Sequence, residues 1–396
     1  MIIKIGMRGS KRMPVLQMFQ LVHLISIIIV VVVLLIKEAS SASNYSMVKP
    51  NCPVKCGDLR IPYPFGVGKG CYLNKKFEVT CNKSTLYYSH SHLQVFRFSL
   101  DHHYATIDGQ AAVLCHDNKS GQSFIQSVFS SLDQEFRISG TQNKLVAIGC
   151  DFFTYITEFE SAEYISGCSS LCYNTSRDSI SVPPSLDHNI NHSSCSGIGC
   201  CQTSLPKDLI SFEARSLSIN TEGRSWAFKP CSIAFIAENN FTEFRKFNIS
   251  GVTHFSVLPG VPTVIDWAVG NISCHDARAR SDYVCGPNSY CIESSSNYGI
   301  RYRCHCSQGY QGNPYLQING CQDIDECKDT KRYPCPKGAL CKNTAGSYSC
   351  PCPAGHKIDG NGTGCITDPG RRLLALIIPL SFGIAIGILL LIATGL

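Results

Sequence analysis

Three acidic residues stand close together in the segment DIDEC, at Asp323, Asp325 and Glu326, directly before a cysteine. A later segment, CKNTAGSYSC, supplies the amide of Asn343. Calcium is a hard cation that takes about six to eight oxygen ligands, so a site needs carboxylates, an amide oxygen and backbone carbonyls in one place. The two segments therefore predict a calcium site. A solvated acidic turn is the alternative, which the presence of all these groups in one cysteine frame disfavours.

The elements that would position these residues are small and disulfide-stapled. The last twelve cysteines fall into two groups of six with one shared spacing, Cys274, Cys285, Cys291, Cys304, Cys306 and Cys321, then Cys327, Cys335, Cys341, Cys350, Cys352 and Cys365. The fourth and fifth members of each group form Cys-X-Cys, and a glycine-containing loop precedes the sixth. Modules this small need staples, because their apolar core is too small to hold the fold alone. Zinc binding is the alternative for closely spaced cysteines, and a repeated six-cysteine pattern in an exported chain disfavours it.

Each group resembles the EGF-like module. The resemblance implies that the first cysteine pairs with the third, the second with the fourth and the fifth with the sixth. The implied disulfides are Cys274–Cys291, Cys285–Cys304, Cys306–Cys321, Cys327–Cys341, Cys335–Cys350 and Cys352–Cys365.

The second module is similar to the calcium-binding EGF subtype. That resemblance implies side-chain ligands from Asp323, Glu326 and Asn343, and backbone oxygen ligands from Ile324, Thr344 and Ser347. The first module has Glu293 where the subtype has Asn or Asp, so we expect no calcium there. Calcium is the one cofactor predicted, and it would stiffen the joint between the modules.

The chain is predicted to be exported. Its 24 cysteines are too many for a reducing compartment. Residues 1–42 combine basic residues, a long apolar run and a small-residue end, which is typical of a signal peptide, with a retained signal anchor as the alternative. Nine glycosylation sequons follow, at Asn44, Asn82, Asn118, Asn174, Asn191, Asn240, Asn248, Asn271 and Asn361.

The segment from Leu373 to Leu396 is uncharged and long enough to cross a bilayer once. It predicts a transmembrane helix and a single-pass type I protein of the plasma membrane. Removal of this tail in exchange for a lipid anchor is the alternative. The net charge of +6 comes mostly from the leader, so no nucleic-acid partner is predicted.

Between the leader and the EGF-like modules, short runs rich in β-branched and aromatic residues alternate with turn residues. The even number of cysteines there predicts full pairing, with connectivity left open. The fold class predicted is therefore a mostly β, disulfide-rich, multi-module ectodomain with two EGF-like modules and one C-terminal transmembrane helix.

The stretch CPVKCGDLRIPYPFGVGKGCYLNKKFEVTC, from Cys52 to Cys81, is similar to the galacturonan-binding module of plant wall-associated receptor kinases. The segments NKLVAIGCDFFTYI and CSGIGCCQTSLPKDL resemble the region that follows it in that family. The resemblance predicts a galacturonan-binding-like module at 43–110, a cysteine-rich region at 111–272, EGF-like modules at 273–321 and 322–365, and the helix at 373–396.

Galacturonan is a polyanion, and the segment from Lys49 to Cys81 contains six basic residues and only two acidic ones. Cations would attract its carboxylates, and aromatic rings could stack on sugar faces. The polysaccharide-binding candidates are Arg60, Tyr63, Phe65, Lys69, Tyr72, Lys75 and Lys76. A solvated basic face with aromatics in a small core is the alternative.

The sequence has no Val-Ala-Ile-Lys, His-Arg-Asp or Asp-Phe-Gly motif, so the kinase activity of the family is not carried over. The histidines form no zinc or triad pattern, which disfavours a hydrolase. The chain is thus predicted to be a non-enzymatic receptor-like protein that binds cell-wall pectin. The alternative function is a calcium-stiffened adhesion or structural protein whose EGF-like modules bind an extracellular protein.

Overall fold

The computed structural model describes residues 46–89, 93–116, 123–159, 161–171, 195, 197, 199–219, 231–241, 260–296 and 299–368, with isolated positions from 370 to 388. The predicted leader and most of the predicted transmembrane segment lie outside these ranges. Among the residues described, no helix is both long and apolar enough to cross a bilayer.

The region before the EGF-like modules consists almost entirely of strands. In chain order they are β1 (Lys55–Cys56), β2 (Leu59–Arg60), β3 (Val79–Asn82), β4 (Thr85–Tyr88), β5 (Val95–Ser99), β6 (Tyr104–Gly109), β7 (Ala111–His116), β8 (Ser123–Gln126), β9 (Val128–Ser131), β10 (Phe136–Ile138), β11 (Asn143–Ile148), β12 (Phe152–Thr157), β13 (Tyr164–Ser170), β14 (Cys200–Ser204), β15 (Ser211–Ser218), β16 (Cys231–Glu238) and β17 (Val261–Trp267). A 3-10 turn, Lys75–Phe77, lies between β2 and β3. The prediction of a mostly β fold is confirmed.

Besides the ribbons β1–β2 and β3–β4, the described part of this region contains three larger antiparallel sheets. Their strand orders are β10-β17-β6-β5, β14-β11-β16-β7-β8 and β13-β12-β15-β9. In β12 the side chains of Phe152, Thr154 and Ile156 are buried while those of Phe153 and Tyr155 are half-buried, which is the period of two expected of a strand with one face on a core.

Strands from the first two predicted regions share one sheet. β6 pairs with β17 from Val261↔Gly109 to Asp266↔Tyr104, although a long stretch of chain separates the two strands. The core follows the same pattern: Phe65 lies 5.5 Å from Trp267 between ring centroids. The described parts of 43–110 and 111–272 therefore fold together as one body, which we call the β domain.

The EGF-like modules add one short helix, α1 (Cys274–Arg278), a 3-10 turn, Glu326–Lys328, and four hairpins. The hairpin strands are β18 (Ser289–Ser296), β19 (Gly299–Cys306), β20 (Tyr310–Gly312), β21 (Cys321–Asp323), β22 (Lys342–Thr344), β23 (Ser347–Ser349), β24 (His356–Ile358) and β25 (Cys365–Thr367).

Disulfides staple both parts of the chain, and every described cysteine is bonded. The EGF-like modules contain the six pairs that the resemblance implies. The β domain, whose connectivity the sequence left open, contains Cys52–Cys71, Cys56–Cys81, Cys115–Cys231, Cys168–Cys201 and Cys195–Cys200.

The first EGF-like module packs directly on the β domain. Asn313 is fully buried, and its Nδ2 donates hydrogen bonds to the backbone oxygens of Met47 (2.9 Å) and Tyr63 (2.6 Å). Val269 and Tyr302 form a backbone pair across the same contact. Because a fully buried side chain and a backbone pair join the two, the first EGF-like module is fixed against the β domain.

Four predicted glycosylation sites lie in the described residues. Asn82, Asn240, Asn271 and Asn361 are all exposed, as an attached glycan requires. The other five sequons lie outside the described residues.

Candidate functional site

The calcium candidates meet where the two EGF-like modules join. Asp323 ends β21, and Asn343 lies in β22 of the following hairpin. Asn343 Nδ2 donates a hydrogen bond to Asp323 Oδ2 (2.7 Å), and the backbone N–H of Gly346 donates one to Asp323 Oδ1 (2.5 Å). The structure thus brings the carboxylate and the amide of the predicted site into contact.

Glu326 is the most informative of the candidates. It is only 4% exposed, and its Oε2 accepts no hydrogen bond from any described residue. An unpaired buried carboxylate costs several kcal/mol unless a cation or donors compensate it. A calcium ion held by this oxygen would supply that compensation, so the residues present fit the ion that the sequence predicts.

The backbone candidates lie on the same short elements. Thr344 and Ser347 are register partners in the β22–β23 hairpin, and Thr344 Oγ1 donates to the Ser347 carbonyl oxygen (2.7 Å). The N–H of Ile324 donates to the Gly309 carbonyl oxygen (2.9 Å). Within the described part of the chain no three His, Cys, Asp or Glu side chains cluster for a metal, and the predicted set has only two such side chains, Asp323 and Glu326.

The joint itself depends on two glycines in close contact. A Cβ on Gly309, whose φ is +81°, would lie 2.0 Å from the Gly346 carbonyl oxygen. A Cβ on Gly346 would lie 2.8 Å from Cε2 of Tyr310, which pairs with Asp323 in the β20–β21 ladder. The last loop of the first module therefore rests against the turn that bonds Asp323.

Two aromatic polysaccharide candidates are corrected by the structure. Tyr63 and Phe65 are 5% and 2% exposed, and both belong to the main core. The ring of Phe65 contacts those of Phe77 and Trp267. Their burial leaves no ring face for a sugar, so these side chains stabilise the fold, as the alternative interpretation held.

The remaining candidates divide by exposure and partner. Lys76 forms an ion pair with Glu135 (Nζ to Oε2, 2.8 Å), so its charge is already compensated. Tyr72 is half-buried against the core. Arg60, Lys69 and Lys75 are exposed.

One basic residue outside the predicted set stands beside Arg60. Lys55 and Arg60 are register partners across the two-stranded ribbon β1–β2, and both are exposed. Like charges opposite each other on a ribbon repel, so an acidic ligand would stabilise this pair. The dipeptide Gly57-Asp58, which separates β1 from β2, is typical of a tight turn. It is the sequence signal that could have identified the hairpin.

Family models match two parts of the chain. Residues 52–108 match the wall-associated receptor kinase galacturonan-binding family, and residues 323–365 match the calcium-binding EGF domain. Among curated proteins of Arabidopsis thaliana, the chain is 32% identical to wall-associated receptor kinase 5 over 81% of its own length and 40% of that protein. It is 33% identical to wall-associated receptor kinase 1 over 80% of its length and 40% of that protein. The chain therefore spans about 40% of the length of these relatives.

Proposed function

We propose that this chain, which is homologous to the wall-associated receptor kinases over 80% of its length, is a cell-surface receptor-like protein that binds pectin galacturonan and calcium. The match of residues 52–108 to a galacturonan-binding family and the exposed Lys55–Arg60 pair support the first activity. Both matched families are named for binding, of galacturonan and of calcium, which supports a binding role.

The observation that carries galacturonan binding is the cross-strand cation pair. Galacturonan presents one carboxylate on each sugar, so two adjacent cations can contact neighbouring acid groups of a single polymer. The disulfide Cys56–Cys81 holds the ribbon at its turn side, which keeps both side chains on a fixed support. Exposed Lys69 lies in the same matched segment and adds to the attraction.

Binding of the full chain to de-esterified polygalacturonate tests this proposal. We expect the Lys55→Ala/Arg60→Ala double variant to bind roughly fivefold more weakly, because exposed ion pairs each contribute a fraction of a kcal/mol. The control, Lys207→Ala/Lys331→Ala, removes two exposed cations outside the matched segment and should bind normally.

The same measurement includes salt, esterification and chelator. Added salt should weaken binding, since screening shortens the reach of exposed charges to about 8 Å at physiological ionic strength. Methyl-esterified pectin should bind less well, and a chelator excludes calcium bridging between polymers. Equal binding by the double variant, the control and the parent chain would refute the electrostatic mechanism, and absence of any binding would leave adhesion to a protein as the function.

Calcium would be held by the side chains of Asp323, Glu326 and Asn343 and by backbone oxygens of Ile324, Thr344 and Ser347. When bound, the ion supplies positive charge to the buried carboxylate of Glu326. Asp323 pairs with Tyr310 of the first module, and Asn343 lies in a hairpin of the second, so their joint use fixes one module against the other.

Calorimetric titration of the full chain with calcium tests this part. We expect a dissociation constant of roughly 10⁻⁴ to 10⁻³ M, as in extracellular modules. Glu326→Ala and Asn343→Ala should abolish the heat. Asp325→Asn is the matched control, because Asp325 forms an ion pair with Lys328 (3.3 Å) and is not in the ligand set. Unchanged heats in the first two variants would refute the assignment.

The proposed location is the plasma membrane, with one crossing at 373–396 and residues 43–368 outside the cell. The exposure of Asn82, Asn240, Asn271 and Asn361 supports a glycosylated, exported ectodomain. Glycosidase treatment of the expressed chain should lower its mass, and protease added to intact cells should remove the ectodomain. Retention of full-length, unglycosylated chain inside the cell would contradict this topology.

A further inference from the structure

A cleft of about 610 Å³ lies between the β domain and the first EGF-like module. Its size falls within the range of about 300 to 1,000 Å³ that is usual for small-ligand sites. One wall is the end of β5 and the turn that follows it, and the other is formed by the β18–β19 and β20–β21 hairpins. Six lining residues determine its chemistry, Phe98, Asp101, Tyr290, His305, Tyr310 and Gln311.

Aromatic rings and unused polar groups alternate in this cleft. Tyr290 is 43% exposed, and its ring is stacked on that of His305 with centroids 5.8 Å apart. The hydroxyls of Tyr290 and Tyr310 and the side-chain amide of Gln311 make no hydrogen bond to any residue that the structure describes. These groups can therefore serve a ligand without first breaking a protein hydrogen bond.

The charge of the cleft differs from that of the β1–β2 ribbon. None of its described lining residues is Lys or Arg, and Asp101 contributes an exposed carboxylate. Asp101 would repel the carboxylate of a uronic acid, whereas the hydroxyls of an uncharged sugar can donate to the carboxylate and the amide oxygen. Flat aromatic rings suit the apolar faces of a pyranose ring.

We propose that this cleft binds a short neutral saccharide, at a site separate from the basic ribbon. Tyr290 and Tyr310 contact the sugar faces, and Asp101 and Gln311 bond its hydroxyls. The site extends the polymer-binding role without depending on it, because it shares no residue with the cation pair at Lys55 and Arg60.

The walls are rigidly supported from behind. His305, beneath Tyr290, contacts the buried ring of His103 (centroids 4.6 Å apart). His103 Nε2 forms a 2.9 Å hydrogen bond with the Cys304 carbonyl oxygen, and its ring packs on Trp267. A ligand therefore finds the Tyr290 ring already in place, which lowers the entropy lost on binding.

The other aromatic wall is shared with the joint between the modules. Tyr310 lines the cleft and also lies against Gly346, whose N–H bonds Asp323. Calcium at the joint would fix Tyr310 from its far side. Chelation of calcium should therefore weaken saccharide binding.

Saturation-transfer NMR on the full chain, in a detergent without sugar headgroups, tests the proposal with two probes. The probes are neutral galactotriose and its acidic counterpart trigalacturonate, titrated at the same salt concentration. We expect galactotriose to bind to the parent chain. Its affinity should fall roughly tenfold in Tyr290→Ala, about the loss of one aromatic contact, and severalfold in Asp101→Asn.

Two further variants serve as controls. Tyr290→Phe keeps the ring and should lose less affinity than Tyr290→Ala, which excludes general misfolding as the cause. Tyr164→Ala removes a tyrosine of β13 that is 58% exposed and does not line the cleft, and should bind galactotriose normally. All variants should keep normal binding to polygalacturonate, so failure here is distinguishable from failure of the proposed function.

Three results would overturn the proposal. They are no galactotriose binding by the parent chain, equal binding by Tyr290→Ala and Tyr164→Ala, and binding of a lysine-rich peptide in the cleft in place of galactotriose. The last result would identify the acidic, aromatic cleft as a peptide site.

Discussion

At the scale of single residues, Asn313 links the first EGF-like module to the β domain. It is 0% exposed, donates to two backbone oxygens of the β domain, and accepts from the N–H of Tyr315 (3.0 Å). Asn313→Ala should lower the free energy of unfolding by about 3 kcal/mol, because several buried polar groups lose their partners. Urea unfolding measures this, with exposed Gln317→Ala as the control; equal stability of the two variants would contradict the role given to Asn313.

His103 lies at the contact between the β domain and the first EGF-like module, and it should make the stability of the fold depend on pH. Burial, together with the neighbouring His305 and Arg303 charges, lowers the pKa of His103 to about 3. The unfolded chain binds this proton near pH 6.5, so the folded state loses stability as the pH falls from about 6.5 towards 3, by up to about 1.4 kcal/mol per pH unit.

His103→Gln should flatten that dependence. Thermal unfolding of parent and variant between neutral and acidic pH checks it, since the parent should lose more of its melting temperature on acidification. Parallel curves for the two proteins would mean that other groups account for acid sensitivity.

At the scale of elements, the contact between β20 and the β22–β23 turn controls the calcium site. Gly309→Ala would push a methyl group against the Gly346 carbonyl and also strain a left-handed backbone position. We expect calcium affinity to fall roughly tenfold, because the displaced turn no longer holds Asp323. Gly360→Ala is the matched control, since its added Cβ meets nothing within 4 Å. Calorimetric titration compares them, and equal affinities would show that the contact is not needed.

The sequence predicts an element when the residues that determine it lie within a short stretch of chain. The run containing β5 and the runs containing β16 and β17 have the composition of strands, and the cysteine spacing implies the EGF pairs. Both signals lie within short stretches of chain. The pairing of β6 with β17 has no local signal, because its register is set by distant strands meeting in one core.

The candidate sites show the same division. Asp323, Glu326 and Asn343 were predictable because one cysteine frame contains them all. Composition alone could not separate buried Phe65 from an exposed sugar platform, nor identify distant Glu135 as the partner of Lys76. Those facts depend on contacts between residues far apart in the chain.

At the scale of the whole molecule, the first EGF-like module covers part of the β-domain core. Trp267 is 1% exposed and contacts Tyr315 from that module, with ring centroids 5.4 Å apart. Deleting residues 274–321 should expose Trp267, shift its fluorescence to longer wavelength and promote aggregation. Deleting residues 322–365 instead should leave its emission unchanged. Equal spectra for the two deletions would contradict the shared core.

This shared core also decides how the molecule would carry mechanical load. A wall polymer held at the β1–β2 ribbon would pull on a body whose sheets, buried Asn313 contacts and disulfides deform little. Extension would concentrate instead in the short connection between Cys321 and Cys327, where the calcium candidates lie. The tension at which this connection yields would then depend on the calcium concentration in the wall. The joint would bear force, and calcium would set how much.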